Sequence, residues 1–259
     1  MILERRAYQI DAGNAAEFWA VQRDWYWPPE IGDFFNHLVG YFETTEKGAR
    51  EIVHIYRYAS LADWEARYRA LYQRFPPHLF TVVRKLLAMQ ENVFMAPAQI
   101  SLPGIPELDR PSGPPHGYEN YGDDPPSGHV VQETVTDFLP GGLFAHWDAI
   151  RELQDPPESL SHNLIGMFHS TTGRLHRKYE YRWFLSREDA AAHQLEMNRQ
   201  EGTAQVALLS APYMVSSKVS YLRPAPFPWL RPLFQPMDWA TFEARDLSQR
   251  RILDWQKSG

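Results

Sequence analysis

The sequence predicts an α+β fold: two tandem β-α-β-β-α-β units whose antiparallel sheets close face to face within one chain. One observation is the run Ile52-Val53-His54-Ile55-Tyr56-Arg57-Tyr58, whose β-branched and aromatic residues mark a strand. It leads to Ser60, three residues before Asp63, close to the spacing that caps a helix start. A second observation is that this passage is written again, as Tyr179-Glu180-Tyr181-Arg182-Trp183 followed by Ser186 and Asp189. Tyr56-Arg57 matches Tyr181-Arg182 at an offset of 125, and Ser60/Asp63 matches Ser186/Asp189 at 126. A single antiparallel sheet with helices on one side leaves its other face bare. Two such sheets in one chain can close face to face.

In chain order, residues 3–10 read as a strand with Glu4, Arg6 and Tyr8 on one face. Asp11-Ala12-Gly13 turns the chain, and Asn14 can cap a helix from Ala15 to about Tyr26. Phe18, Val21 and Trp25 fall at helical spacing, and Trp27-Pro28-Pro29 ends the helix. Leu38 to Phe42 is the second strand, and Glu46-Lys47-Gly48 turns into the third, where His54, Tyr56 and Tyr58 share a face. The Ser60-capped helix carries Leu61, Trp64, Tyr68, Leu71 and Tyr72 up to Pro76-Pro77. A helical run over about 79–89 then leads to a strand over 92–96, stopped by Pro97.

The second copy replays this order. Residues 130–137 form a strand, Gly141-Gly142 a turn, and 143–153 a helix with Trp147 in the place of Trp19. Leu164 to Phe168 repeats Leu38 to Phe42 at 126, and a last strand over 219–222 precedes Pro224. The expected bounds are 1–99 and 129–225 for the copies and 100–128 for a Pro- and Gly-rich linker. Residues 226–259 form a Pro-rich tail whose helix, from about Trp239 to Gln256, docks on the domain pair or on a second protomer to make a homo-oligomer.

A formal charge of −6 and a pI near 5.9 argue against nucleic acid and anionic membrane as partners. No apolar run approaches the roughly 20 residues that span a bilayer. Met1-Ile2-Leu3-Glu4-Arg5-Arg6 lacks the apolar core of a secretory signal, so a cytoplasmic location is expected. The absence of Cys excludes disulfides, thiolate nucleophiles and thiolate metal sites. Aromatic residues make up 14% of the chain, with nine Trp, more than a core of this size needs, so some can line a pocket or an interface.

Leu38-Val39-Gly40-Tyr41-Phe42, the strand from Val53 to Tyr58 and Ser60-Leu61-Ala62-Asp63 resemble the NIPSNAP family of the dimeric α+β barrel superfamily. Glu4 to Tyr8 and Leu222-Arg223-Pro224 fit the same pattern. The resemblance implies tandem ferredoxin-like (β-α-β-β-α-β) domains pairing as an intramolecular α+β barrel, with the first and third strands as central neighbours and pockets between sheet and helices. The wider superfamily includes cofactor-free monooxygenases, haem-degrading enzymes, isomerases, lyases and binding proteins.

Comparison of the copies sorts candidate residues. Gly40/Gly166, Phe42/Phe168, Tyr56/Tyr181, Arg57/Arg182 and Trp19/Trp147 recur and read as fold requirements. Glu4, Arg6 and Tyr8 stand where copy two has Gln132, Thr134 and Thr136, and His54 where it has Tyr179. His54, Glu4 and Arg6 are therefore the candidate catalytic set, able to supply proton transfer and anion binding. Tyr8, Trp25, Tyr26, Tyr41, Tyr56 and Tyr58 are the candidate substrate-binding set. The same groups can instead form a buried network that holds strand register.

In copy two, His169 and His176 would face each other across a hairpin turning at Thr172-Gly173, but no third ligand is evident. No metal and no cofactor are therefore expected. Lys178, Glu180 and Arg182 share a face that is either an internal ion network or a wet sheet surface. The function expected is binding of a small, largely apolar or aromatic molecule with cofactor-independent acid–base chemistry of lyase, isomerase or monooxygenase type. A non-catalytic binding or interaction protein and a haem-binding member of the superfamily are the alternatives.

Overall fold

The computed structural model describes residues 1–24, 37–44, 50–74, 77–100, 130–153 and 156–225. Copy one consists of β1 (Ile2–Ile10), α1 (Ala15–Asp24), β2 (Leu38–Thr44), β3 (Arg50–Tyr58), α2 (Leu61–Arg74), α3 (Pro77–Leu86) and β4 (Leu87–Pro97). Copy two consists of β5 (Val130–Phe138), α4 (Gly142–Arg151), the short α5 (Glu158–Ser161), β6 (Leu164–Ser170), β7 (Arg177–Phe184), α6 (Arg187–Arg199), α7 (Glu201–Ser210) and β8 (Met214–Pro224). The expected turn at Glu46-Lys47-Gly48, the helix end at Pro28-Pro29, most of the linker and the tail helix lie outside the described residues.

Both Ser-capped helix starts read from the sequence are built as expected, whereas Asn14 does not cap α1 but ends a 3₁₀ turn, Ala12–Asn14, that runs into it. Asp63 N–H donates to Ser60 Oγ at 3.1 Å, and the Asp63 carboxylate accepts from Ala59 N–H at 3.0 Å. In copy two, Asp189 N–H donates to Ser186 Oγ at 3.0 Å. The closing strands are longer than the sequence suggested. β4 begins at Leu87, because β1 pairs with it as far as Ile10↔Leu87 and draws 87–89 out of the helical run. β8 likewise begins at Met214, where Phe138 of β5 pairs with it.

The eight strands close into one barrel in the order β1-β3-β2-β8-β5-β7-β6-β4, so that two four-stranded sheets join edge to edge at β2–β8 and β4–β6. Period two then divides each strand. On β1, β3 and β5 the inward set includes Leu3, Val53, Ile55 and Val131, which pack with Phe42, Phe168 and Tyr181 in a fully buried interior. Each such side chain contributes about 1.5–3 kcal/mol. The interior also holds an ion pair. Arg5 of β1 donates from Nε and Nη2 to the two carboxylate oxygens of Glu133 on β5, at 2.7 and 2.9 Å. Tyr181 Oη donates to the same carboxylate at 2.8 Å. Burial works against the Arg5 charge, but Glu133 more than offsets it and holds the guanidinium well above its ordinary range.

One sequence-based alignment is corrected by the register. β2 pairs with β3 at Gly40↔Ile55 and Tyr41↔His54, and β6 pairs with β7 at Gly166↔Tyr181 and Met167↔Glu180. The third strands therefore match at 126 and not at 125. The counterpart of His54 is Glu180, not Tyr179, and Tyr56 corresponds to Arg182. A slip of one residue carries every side chain to the opposite face. Tyr181 accordingly points into the barrel while Tyr56 packs in the core cluster beneath the helices.

Gly40/Gly166 and Phe42/Phe168 do recur for structural reasons. A Cβ on Gly40 would lie 2.4 Å from the Phe42 ring, and one on Gly166 would lie 2.7 Å from the Phe168 ring. Both rings are fully buried and have nowhere to move. Gly40→Ala is expected to destabilise the fold by about 1–3 kcal/mol, read as a lower denaturant midpoint at unchanged slope. A change below about 0.5 kcal/mol would show that the ring is free to give way.

Candidate functional site

The outward face of the copy-one sheet lies under its helices, and it gathers almost all the candidates. Antiparallel pairing sets Glu4 opposite Tyr56, Arg6 opposite His54 and Tyr41 opposite His54. Because alternate residues share a face, Glu4, Arg6, Tyr8, Tyr41, His54, Tyr56 and Tyr58 form one layer. Trp25 and Tyr26 lie outside the described residues.

Glu4 is fully buried and accepts from Arg6 Nη2 at 2.7 Å, Trp64 Nε1 at 3.0 Å and Asn92 Nδ2 at 3.2 Å. The Arg6 guanidinium lies 4.7 Å from the centre of the Tyr56 ring and 5.6 Å from that of Tyr68. Burial opposes its charge, while Tyr56, Tyr8 and Glu4 together raise it well above the ordinary range. This is a fixed cation in an aromatic cage.

His54 sits at the centre of that layer. Its ring centroid is 3.9 Å from Tyr41 and 5.0 Å from Tyr8, and its Nδ1 is 3.3 Å from Tyr56 Oη. Its Nε2 is buried with no hydrogen-bond partner, as are the hydroxyls of Tyr41 and Tyr58. Burial, and then the Arg6 charge, push its pKa well below 6.5, so the imidazole is neutral at physiological pH. Burial raises the Tyr41, Tyr56 and Tyr58 phenols, which stay protonated. The layer thus offers neutral donors and acceptors beside one permanent positive charge.

Several contributors were not singled out from the sequence. Asn92 and Phe94 alternate on β4 and pair with Arg6 and Glu4, so extending the period-two reading along β4 would have found them. Trp64 reads only as an apolar helix position, yet its indole N–H reaches the Glu4 carboxylate. His37 stacks on Tyr58 at 5.3 Å, with Nδ1 at 2.8 Å from the Arg57 carbonyl. Glu43 accepts from Trp19 Nε1 at 2.8 Å and pairs with Arg50 and Arg223.

The matching face of copy two is different in kind. Lys178, Glu180 and Arg182 form an internal ion network, not a wet surface. Lys178 Nζ donates to Glu180 at 3.0 Å, and Arg182 Nε donates to Glu180 at 2.7 Å. Burial opposes the Glu180 charge, but the two cations hold its carboxyl far below the ordinary range. Arg182 also donates to the carbonyls of Ser159, Leu160 and His162. A cavity of about 330 Å³ lies over this face.

The expected opposition of His169 and His176 does not occur. His169 pairs with Lys178, because His176 turns into the left-handed region, at φ 61°, before β7 begins. Among the described residues no group of three or more His, Asp or Glu stands where it can hold a metal ion. Among the described residues no helix is long and apolar enough to cross a membrane.

The fold and this layer define an α+β barrel made from two ferredoxin-like copies, with a polar aromatic layer between sheet and helices in copy one. Residues 3–102 match the NIPSNAP family model. A protein from Agrobacterium tumefaciens is 31% identical, the match covering 39% of this chain and 97% of that one, with a TM-score of 0.33. The same locus, described as a NIPSNAP family protein with unknown function, matches at 30% identity over 39% of this chain and 91% of that one, with a TM-score of 0.33. The chain belongs to the NIPSNAP family, through its first copy. Across both copies, a candidate monooxygenase from Fusobacterium nucleatum shares the fold at 10% identity, covering 86% of this chain and 92% of that one, with a TM-score of 0.53. No curated protein matches the chain.

Proposed function

We propose that this NIPSNAP protein is cytoplasmic, that it binds a small, largely apolar or aromatic molecule against the copy-one layer, and that it moves a proton on that molecule without a cofactor. The observation that carries this reading is the unpartnered Nε2 of a buried, neutral His54 beside the Arg6 cation. With Nδ1–H donating to Tyr56 Oη, Nε2 keeps its lone pair and can accept a proton from the ligand. Arg6 then stabilises negative charge developing on a ligand oxygen. Glu4 positions Arg6: both of its oxygens already accept hydrogen bonds, so it is placed to orient the cation rather than to react. That saturation also favours a second reading, in which the layer binds its ligand without turnover.

Proton exchange tests the proposal. The protein is incubated in D₂O with a panel of small aromatic ketones and phenols, and deuterium incorporation is followed by proton NMR. The wild type is expected to exchange a carbon-bound proton of the ligand it takes, and His54→Phe to slow that exchange by about 10²–10⁴-fold. Glu4→Gln is expected to lower the melting temperature as well, because a buried partner is left unsatisfied at about 1–3 kcal/mol. A His54→Phe protein that melts earlier but exchanges normally per folded molecule rules out the catalytic role. Thermal stabilisation by a ligand with no exchange selects binding alone.

A further inference from the structure

The copy-two cavity lies between the outward face of β5 and β7 and the helices α4, α6 and α7, and its 330 Å³ is near the lower end for small-ligand sites. Its floor is polar, with Gln132, Thr134 and Thr136 beside Lys178 and Glu180, and its roof includes Ile150, Met197 and Val206. Lys178, Arg182 and Glu180 are the ionised lining residues, two cations against one anion, so the cavity carries a net positive charge. Arg182 is spent on Glu180 and three backbone carbonyls. Lys178 is not. An ammonium has three donors. One goes to Glu180, and one to His146 Nε2 at 3.2 Å.

The His146 contact fixes the direction of a chain. With Lys178 donating to Nε2, His146 Nδ1–H donates to Ser210 Oγ at 2.8 Å, and Ser210 donates to the Val206 carbonyl at 2.6 Å. Ser210 is thereby occupied, and Lys178 is held as a fixed donor with one N–H to spare. At the other end of the floor, Gln132 donates from Nε2 to Thr134 at 3.4 Å, while its Oε1 is buried with no partner. The Gln132 side of the site therefore needs a donor, and the Lys178 side an anionic acceptor. Gln132 pairs with Arg182 and Thr136 with Lys178, so the two ends lie four residues apart along the strands. That is about 13 Å between backbones, and two long side chains shorten it to the span of a flat ring with groups at opposite ends.

We propose that copy two is a second, independent binding site for a small aromatic carboxylate bearing a hydroxyl opposite its carboxylate. The carboxylate takes the spare N–H of Lys178, the hydroxyl donates to Gln132 Oε1, and the ring packs under the apolar roof. Copy one is rich in phenols around one Arg, and copy two has Thr, Gln and Lys in the same layer. The two halves therefore select different molecules.

The test is a titration of the full chain, carrying ¹³C-methyl methionine, with 4-hydroxybenzoate. Met167, Met197 and Met214 line the cavity and Met95 lies in the barrel interior, so the methyl signals report location. The three lining methyls are expected to shift while Met95 does not. Neutral 4-hydroxybenzamide is expected to bind about tenfold more weakly, and Lys178→Gln to weaken 4-hydroxybenzoate by a similar factor. Gln132→Leu should weaken 4-hydroxybenzoate about tenfold but leave benzoate unchanged, a contrast that a merely misfolded variant would not give. No shift of the lining methyls at millimolar probe, equal binding of acid and amide, or indifference to Gln132→Leu would each overturn the assignment.

Discussion

Glu133→Gln is expected to cost about 3–5 kcal/mol of stability, because it leaves the Arg5 cation buried in the barrel without its counter-charge. Arg5 is 5% exposed and Glu133 2%, so water cannot replace the lost partner. Glu51 stands 3.4 Å from Arg5 but is partly solvated and offsets only part of the loss. Tyr181 also loses its anionic acceptor. The paired change Arg5→Met with Glu133→Leu removes both charges together and is expected to come within about 1–2 kcal/mol of the wild type. Urea unfolding of the wild type, Arg5→Met, Glu133→Leu and the paired variant completes a double-mutant cycle. A single variant that loses less than about 1 kcal/mol would mean that the pair contributes little to holding the copies together.

The second large effect is acid sensitivity well above the carboxylate range. His54 and His146 are both neutral in the folded protein, held there by burial first and by Arg6 and Lys178 respectively. In the unfolded chain each would titrate near its ordinary value of about 6.5. Below that pH the unfolded chain binds protons that the folded one does not, so stability falls as pH falls, and above it the two states match. Each imidazole contributes a slope of up to about 1.4 kcal/mol per pH unit, or about 2.7 for the two. Asp63, Asp137 and Glu180 have lowered carboxyl pKa values, and their contribution is lost only as pH drops through about 4 and below. The interval from about pH 4.5 to 6.5 therefore isolates the histidines. Burial also lowers His169 and His193, the latter to about 4, so His54→Phe should remove roughly a quarter to a third of the slope there, measured by chemical unfolding at closely spaced pH values. A flat stability between pH 5 and 7 would mean that His54 and His146 ionise in place.

The site in copy one was legible because strand periodicity is short and unforgiving. Once residues 3–10 and 52–58 are read as strands, alternation alone assigns Glu4, Arg6, Tyr8, His54, Tyr56 and Tyr58 to faces, and the pairing of β1 with β3 brings those faces together. The copy-two site was hidden by the same rule. The repeated Tyr-Arg pair invited an offset of 125, and that one-residue error sent Glu180 and Arg182 to the wrong partners. Leu164 to Phe168 had the correct offset of 126, and carrying it through the hairpin would have matched Glu180 to His54. His146 and Ser210 had no such signal, since α4 and α7 reach Lys178 through tertiary packing that no local pattern encodes.

Arg5 and Glu133 occupy equivalent places in the two copies, 128 residues apart, as Glu4 and Gln132 do. A barrel made from two first copies would therefore set Arg5 against Arg5 in a dry interior, and one made from two second copies would set Glu133 against Glu133. Like charges at that depth repel with little screening. The halves are thus mutually selective: each recognises the other and rejects itself. One buried pair of opposite charges across the barrel interior thus keys the two copies to each other. The keyed interior leaves the outward faces free to carry unlike chemistry, because neither half can be replaced by a second copy of its neighbour.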